Sequence, residues 1–279
     1  MGIVVNTNIS SFLVQRSLSD ATSEINKSIE RLSTGYKINR AADDAAGLVI
    51  SESLKSQSRG AAMAAQNAQT GMNLLQTAEA DLGVILENLQ RIRDLTVQAA
   101  NGTNGSVERA AIKSEVDARF SEINRIAESS TFNAVKLLNG DNTTLTLQAG
   151  PNAVSSLNTL DIGAPLQSAK YSSLGISGVT TAFDSATAAA SFITLIDTAI
   201  NTVSTRRSTI GSLQNRLESA IRSLTIKQEN MTAAESRIRD ADIAKEAAAL
   251  TKNQILQQAS ASLLAQANQA PTIALGLIG

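Results

Sequence analysis

The chain's one candidate for acid–base chemistry is the adjacent pair Asp43 and Asp44, just after Arg40. Two neighbouring carboxylates can divide into an acid and a base when like charge raises one pKa. Such work also needs a pocket and partner groups, and none stands beside them. The plainer reading is a loop anchored by Arg40 and nearby N–H groups. Arg237, Arg239, Asp240 and Asp242 form a second charge cluster, read as ion pairs at a structural join, each worth little. The 279 residues contain no Cys and no His. That excludes thiol nucleophiles, disulfides, Cys/His zinc sites and Ser-His-Asp arrangements. No catalytic residue, cofactor or metal is expected, and the chain does not read as an enzyme.

Hydrophobic residues make up 43% of the chain and aromatics only 3%. The apolar content is therefore Ala, Leu, Ile and Val, which suits helix seams better than a substrate pocket. The formal net charge is −1, so nothing steers the chain toward nucleic acid or an anionic membrane. No apolar run reads as long enough to span a bilayer, and no membrane insertion is expected. The start, Met1 to Asn6, lacks the basic region of a cleaved leader, and Arg16 is the first basic residue. Asn6 also stands where a myristoylation signal wants Ser or Thr.

The elements follow from periodicity. A first helix is expected over residues 10–33, with Leu18, Ile25 and Leu32 every seven residues, Ile29 between them and Gly35 at C′. An irregular stretch, 36–44, follows. Positions 61, 64, 68, 71, 75, 78, 82, 85, 89, 92 and 96 then alternate steps of three and four. Ala and Gly fill the first part, and Leu75, Leu82, Ile85, Leu89 and Ile92 the second. That is a heptad seam, small at one end and apolar at the other. The run 101–105 ends it with turn chemistry. A shorter helix is expected over 107–129, capped by Ser106, with Ile112, Val116, Phe120 and Ile123 on its buried stripe. Between residues 131 and 163 the period falls to two, predicting one or two β-hairpins. Residues 164–190 are small, polar and weakly patterned. A near-heptad stripe through Ile196, Ile200, Val203, Ile210, Leu217, Ile221 and Leu224 predicts a long helix to about 233, interrupted at Arg207, Gln214 and Gln228. A last helix is expected over 241–268, stopped by Pro271, with an apolar tail behind it.

Together these predict a mainly α chain: a long antiparallel helical bundle or coiled coil built from both chain ends, with a small β-hairpin region in the middle. The outermost helices can bury only a narrow stripe against each other, and such helices are marginal alone. Their apolar rows call for other copies of the chain. Head-to-tail contacts that do not close generate filaments.

Leu32-Ser33-Thr34-Gly35-Tyr36-Lys37-Ile38-Asn39-Arg40-Ala41-Ala42-Asp43-Asp44-Ala45-Ala46-Gly47-Leu48 resembles the N-terminal signature of bacterial flagellins. Residues 89–98 (Leu89 to Gln98) are similar to their second signature, and 132–138 (Phe132 to Leu138) to the segment leading into their β-hairpin. Residues 254–259 and 264–269 resemble their C-terminal signature. The resemblance covers roughly residues 1–140 and 200–279. It implies a filament subunit, extracellular, exported through the flagellar type III apparatus without leader cleavage. It implies inner-tube terminal helices from residues 1–45 and 236–279, and an outer-tube bundle with β-hairpin from 46–163 and 191–235. Residues 164–190 leave no room for the large central variable domains of many flagellins, and a chain without His cannot carry the zinc protease found in some of them.

The resemblance also implies site residues. Inner-tube assembly would fall to Leu18, Ile25, Ile29, Leu32, Leu250, Leu256 and Leu264. The outer-bundle seam would be Leu75, Leu82, Ile85, Leu89, Ile92, Leu217, Ile221 and Leu224. Arg91, Leu95 and Glu115 occupy positions at which the flagellin-sensing Toll-like receptor docks in similar flagellins; the plainer reading is a subunit contact. Implied partners are further copies of the chain, a flagellar export chaperone, and cap and hook-associated proteins. The Thr/Ser-rich region 143–187 could carry O-linked sugars, or simply be a polar tip. Two alternatives stand beside this reading, a hook–filament junction protein and a non-flagellar coiled-coil scaffold.

Overall fold

The computed structural model describes residues 7–141, 144–152, 158–176 and 181–276, with side chains described to residue 269 in the last helix. Among the described residues there are five long helices: α1 (Ile9–Thr34), α2 (Ala45–Ala99), α3 (Ser106–Ser129), α4 (Ala186–Arg239) and α5 (Ile243–Gly276). Between α3 and α4 lie four short strands, β1 (Thr131–Phe132), β2 (Val135–Lys136), β3 (Thr146–Gln148) and β4 (Thr159–Asp161). They form two antiparallel pairs, β1 with β2 and β3 with β4. The mainly α architecture with a small hairpin region is as the periodicity predicts.

The chain divides into two compact units, Met1–Ser56 with Asn230–Gly279, and Gln57–Glu229. In the second unit, every position of the α2 seam from Ala61 to Thr96 is buried. Leu75, Leu82, Ile85, Leu89 and Ile92 are fully inaccessible. The buried Thr96 hydroxyl donates to the Ile92 carbonyl at 2.7 Å, so its polar atom costs little there. The approach at Gly71 is close: a Cβ there would lie 2.5 Å from a Leu147 methyl on β3, and that side chain would have to move.

Both neighbours of α2 in this unit run antiparallel to it. Arg91 meets Glu115, and Ser130, just past α3, donates its hydroxyl to Asp81. On the other side Arg93 meets Asp197, and Ala61 and Ala64 pack with Leu224. Polar interruptions of the α4 stripe have partners across this interface. Glu79 of α2 accepts from Gln214 Nε2 at 2.9 Å and lies 3.8 Å from the Arg207 guanidinium.

Several expectations are corrected. Residues 164–190 are not a residual polar stretch, because Leu166, Ala169, Leu174, Ile176, Ala182 and Phe183 are buried in the main core. Phe183 meets Phe192, and Phe120 packs on Phe192 and Tyr171. The segment inserts single side chains from a loop, which leaves no period to detect. Ser106 is the first residue of α3 rather than its cap; extended Gly105 takes the N-cap position, and Glu108 supplies the first-turn carboxylate. The last helix passes through Pro271 to Gly276; one lost N–H and a ring clash can kink a helix rather than end it. By length and composition α4 is apolar enough to cross a bilayer, contrary to the expectation. Phe192, Ile196, Ala199 and Val203 of its apolar stretch are buried in the core of this unit.

Asn133 and Ala134, which join β1 to β2, have φ of 48° and 65°. Two left-handed residues are what a tight hairpin turn demands, and Ala is a poor choice for one. Ala134→Gly is expected to raise unfolding free energy by about 1 kcal/mol, read from the urea midpoint; a lower midpoint would show that the turn is not strained.

Candidate interaction surfaces

The loop between α1 and α2 shows what the paired carboxylates do. Asp43 Oδ2 accepts from the backbone N–H groups of Asn39 at 3.1 Å and Arg40 at 3.0 Å. Asp44 Oδ1 accepts from Gly47 N–H at 2.9 Å, capping α2. A Cβ at Gly47 would clash with that carboxylate and with Ile38, so the glycine fits the cap. The Arg40 side chain reaches Glu30 instead, at 2.9 Å. Each carboxylate is committed to main-chain N–H groups, and the arrangement is an anchored loop.

The same unit holds the charge cluster near Arg239. Its guanidinium stacks 4.6 Å from the Tyr36 ring centroid and pairs with Glu52 at 2.5 Å. Lys37 N–H donates to the Arg239 carbonyl, and Ala241 N–H to the Gly35 carbonyl. Asp242 caps α5 through Lys245 N–H, while Arg237 donates to its own helix, at Ala233. Thus one arginine ties the end of α1 to the start of α5. Tyr36 and Arg239 are distant in sequence, so no local pattern could have joined them.

From this clasp α1 and α5 run antiparallel. Arg31 lies 3.7 Å from Glu246, Gln257 bonds Thr22 at 3.0 Å, and Asn8 reaches the Ala267 carbonyl at 2.8 Å. Burial along the pair is thin. On α1 only Ala21, Ile25 and Ser28 are buried, and none of the described α5 side chains is. Of the expected assembly residues, Ile25 is buried, while Leu18, Leu32, Leu250 and Leu264 are half-buried. Ile29 and Leu256 are exposed, at 50% and 46%. Ile9, Phe12, Leu13, Ile243, Ile255 and Leu263 are exposed as well. The pair therefore leaves apolar surface in water on both helices.

In the second unit the eight seam residues lie in or against its core. Leu217 is fully inaccessible, Leu224 is buried beside Ala61 and Ala64, and Ile221 is half-buried. Arg91 and Glu115 come together: Arg91 Nη2 and Nε donate to Glu115 Oε1 at 2.9 and 3.1 Å, on an open surface. Leu95 does not join them there. It is only 4% exposed and belongs to the core. Positions 74, 81, 88 and 95 form a second seven-residue row, and Asp81 and Asn88 in it contact Ser130 and Arg119. That row packs on the α3 side, so an exposed Leu95 anchor is ruled out in the folded chain.

An open groove of about 490 Å³ borders α4 between Pro165 and Thr209. Its one ionisable side chain, Arg206, donates to the Gln167 and Ser168 carbonyls at 3.1 and 2.9 Å. Burial lowers the pKa of that guanidinium from its ordinary value. Arg109 is a further anchor that periodicity did not single out, bonding the carbonyls of Asn104 and Phe183. Of the 143–187 hydroxyl-rich region, Thr143 and residues 153–157 and 177–180 lie outside the described residues.

A family model for the bacterial flagellin N-terminal helical region matches residues 5–143, and one for the C-terminal helical region matches residues 193–278. A flagellin of Halalkalibacterium halodurans is 42% identical over 276 residues, covering 99% of this chain and 100% of that protein. The chain belongs to the bacterial flagellin family. A flagellin of Bacillus subtilis is also 42% identical, over 301 residues, covering 98% of this chain and 99% of that one. These relatives are of similar length, so this is a short flagellin without large central additions. A putative flagellar hook-associated protein from Vibrio parahaemolyticus superposes with a TM-score of 0.58 at 14% identity, covering 71% of this chain. That likeness is one of fold alone.

The Asp43 anchor has a pH signature. The N–H groups of Arg40 and then Asn39 hold its carboxyl below the usual aspartate value, aided by Lys27 and Arg31. A carboxyl depressed on folding contributes stability above its unfolded pKa and loses it as pH falls through the folded one. Amide exchange at Asn39 and Arg40, taken relative to the intrinsic rate at each pH, should stay slow at neutral pH and quicken only below the ordinary aspartate range. In Asp43→Ala it should be fast throughout; retained protection there would remove the carboxylate as the anchor.

Proposed function

We propose that this chain is the structural subunit of a bacterial flagellar filament, polymerising through α1 and α5 into the helical tube that works as a swimming propeller. The observation that carries the assembly mechanism is the exposed apolar row on both terminal helices, beside a pair interface that buries so little. In this reading residues 1–45 and 236–279 line the inner tube, and the 46–163 and 191–235 segments form the outer one. Flagellins are a structural protein family, which fits a chain whose carboxylates and guanidinia are committed to loops, caps and ion pairs.

A filament subunit works outside the cell. Export through the flagellar type III apparatus without leader cleavage follows from that role. An export chaperone would cover the apolar terminal rows before assembly, and cap and hook-associated proteins would meet the growing polymer. These partners share one requirement, a surface that accepts amphipathic helices.

Recognition by the flagellin-sensing Toll-like receptor is a second, compatible role. Its accessible element is the Arg91–Glu115 pair, since an Arg fork is a frequent interface anchor. Leu95 would act from the core, by holding α2 and α3 in place. O-linked sugars on the 143–187 region remain part of this proposal; an intact mass of filament-derived subunit equal to 29.2 kDa would dispose of them.

Leu256→Asp and Leu264→Asp are the direct tests of the assembly mechanism. A buried unpaired carboxylate costs several kcal/mol, about a thousandfold or more in association. Each variant is expected to keep the helix content of the monomer, by circular dichroism, and to form no filaments by electron microscopy. Normal filaments from both would place these residues outside the assembly core.

A further inference from the structure

Three Asn-Gly pairs occur in the sequence: Asn101-Gly102, Asn104-Gly105 and Asn139-Gly140. Glycine hinders its own backbone nitrogen least, so such pairs are where a side-chain amide is open to attack along the chain. The three differ in how the fold holds the reacting atoms.

We propose that Asn101 is a site of spontaneous, intramolecular deamidation, and that the fold protects the other two. Asn101 and Gly102 are both exposed in the α2–α3 turn. The turn is curled by Asn104 N–H donating to the Asn101 carbonyl at 3.1 Å. Thr103 N–H donates to Asn101 Oδ1 at 3.3 Å, where negative charge would develop on attack. The Asn101 backbone N–H donates to the Gln98 carbonyl at 3.2 Å, but no hydrogen bond holds the side-chain nitrogen Nδ2 or the Gly102 N–H among the described contacts. A Cβ at Gly102 would find nothing within 4 Å, so no neighbouring group crowds the glycine.

The step balances without a redox partner. Gly102 nitrogen bonds to Asn101 Cγ while its proton passes to hydroxide. The Cγ–Nδ2 bond breaks, and the amide takes a proton and leaves as ammonia. Water then opens the five-membered imide at either carbonyl, giving aspartate or isoaspartate. The product carries a new carboxylate just past the C-terminus of α2. That end has no basic residue in its last turn, and negative charge there opposes the helix dipole.

The other two pairs are restrained at the leaving group. Asn104 Nδ2 donates to the Gln98 carbonyl at 2.5 Å, and Arg109 holds the Asn104 carbonyl. Asn139 Nδ2 donates to Asp141 Oδ2 at 2.9 Å, which also sets a carboxylate beside any developing oxyanion. Gly140 is left-handed, at φ 96°, with Ser168 Cβ 3.0 Å from its Cβ position. The inference does not depend on filament formation.

The test is to incubate the full folded chain at mildly alkaline pH and follow it by intact mass and peptide mapping. The expected result is a gain of about 1 Da, located at residue 101 as aspartate and isoaspartate. Asn104 and Asn139 should convert at least about tenfold more slowly. Gly102→Val should slow conversion at 101 by about tenfold with an unchanged circular dichroism spectrum. In urea the three sites should converge in rate. Conversion at 104 or 139 as fast as at 101 in the folded chain, no conversion at 101, or the same ranking in urea would each overturn the proposal.

Discussion

The antiparallel pairing of α1 with α5 cannot bury its own apolar surface, and the proposed assembly depends on that shortfall. Three α1 residues are buried in it, while Phe12, Leu13, Ile255, Leu256 and Leu263 face water. Each such side chain gains about 1.5–3 kcal/mol when fully buried. A helix pair held mainly by Arg31–Glu246, Gln257–Thr22 and the clasp at Tyr36 and Arg239 has little of its own to set against the entropy of ordering. Further copies of the same chain can supply the missing surface. In the proposed filament, assembly is the step that completes the termini.

The other unit has the opposite character. Its α2 packs two rows, one buried throughout and one that faces α3, and its core also takes in Leu166, Leu174, Ile176 and Phe183 from the connecting segment. Exposed ion pairs such as Arg91–Glu115 and Arg93–Asp197 decorate it and add little stability. Half-buried polar contacts bear on register instead: Glu79 answers both Gln214 and Arg207 on α4.

Much of this was legible in the amino-acid sequence where one row of residues faces one partner. The heptad from Ala61 to Thr96 is buried at every step, and the alternating Leu145, Leu147, Leu160 and Ile162 do lie at a strand pair. Legibility failed where a residue serves a second partner or none at regular spacing. The family resemblance groups Leu95 with Arg91 and Glu115 as a docking position, yet it lies on the row that packs against α3. The 164–190 segment has no period, because a loop delivers its buried side chains singly. The Tyr36–Arg239 clasp joins distant positions through a ring face and a guanidinium, which no local pattern encodes. The family motifs did mark both chain ends, and the apolar rows there are what the fold leaves uncovered.

Hydrogen exchange of the monomer against the polymer tests the central claim most directly. Amides in residues 7–34 and 243–269 should exchange rapidly in the monomer, and those in residues 75–96 slowly. On polymerisation the terminal helices should become protected to the level of residues 75–96. Equal protection of the terminal helices in both states would contradict the account, since it would mean that α1 and α5 are already complete in a single chain.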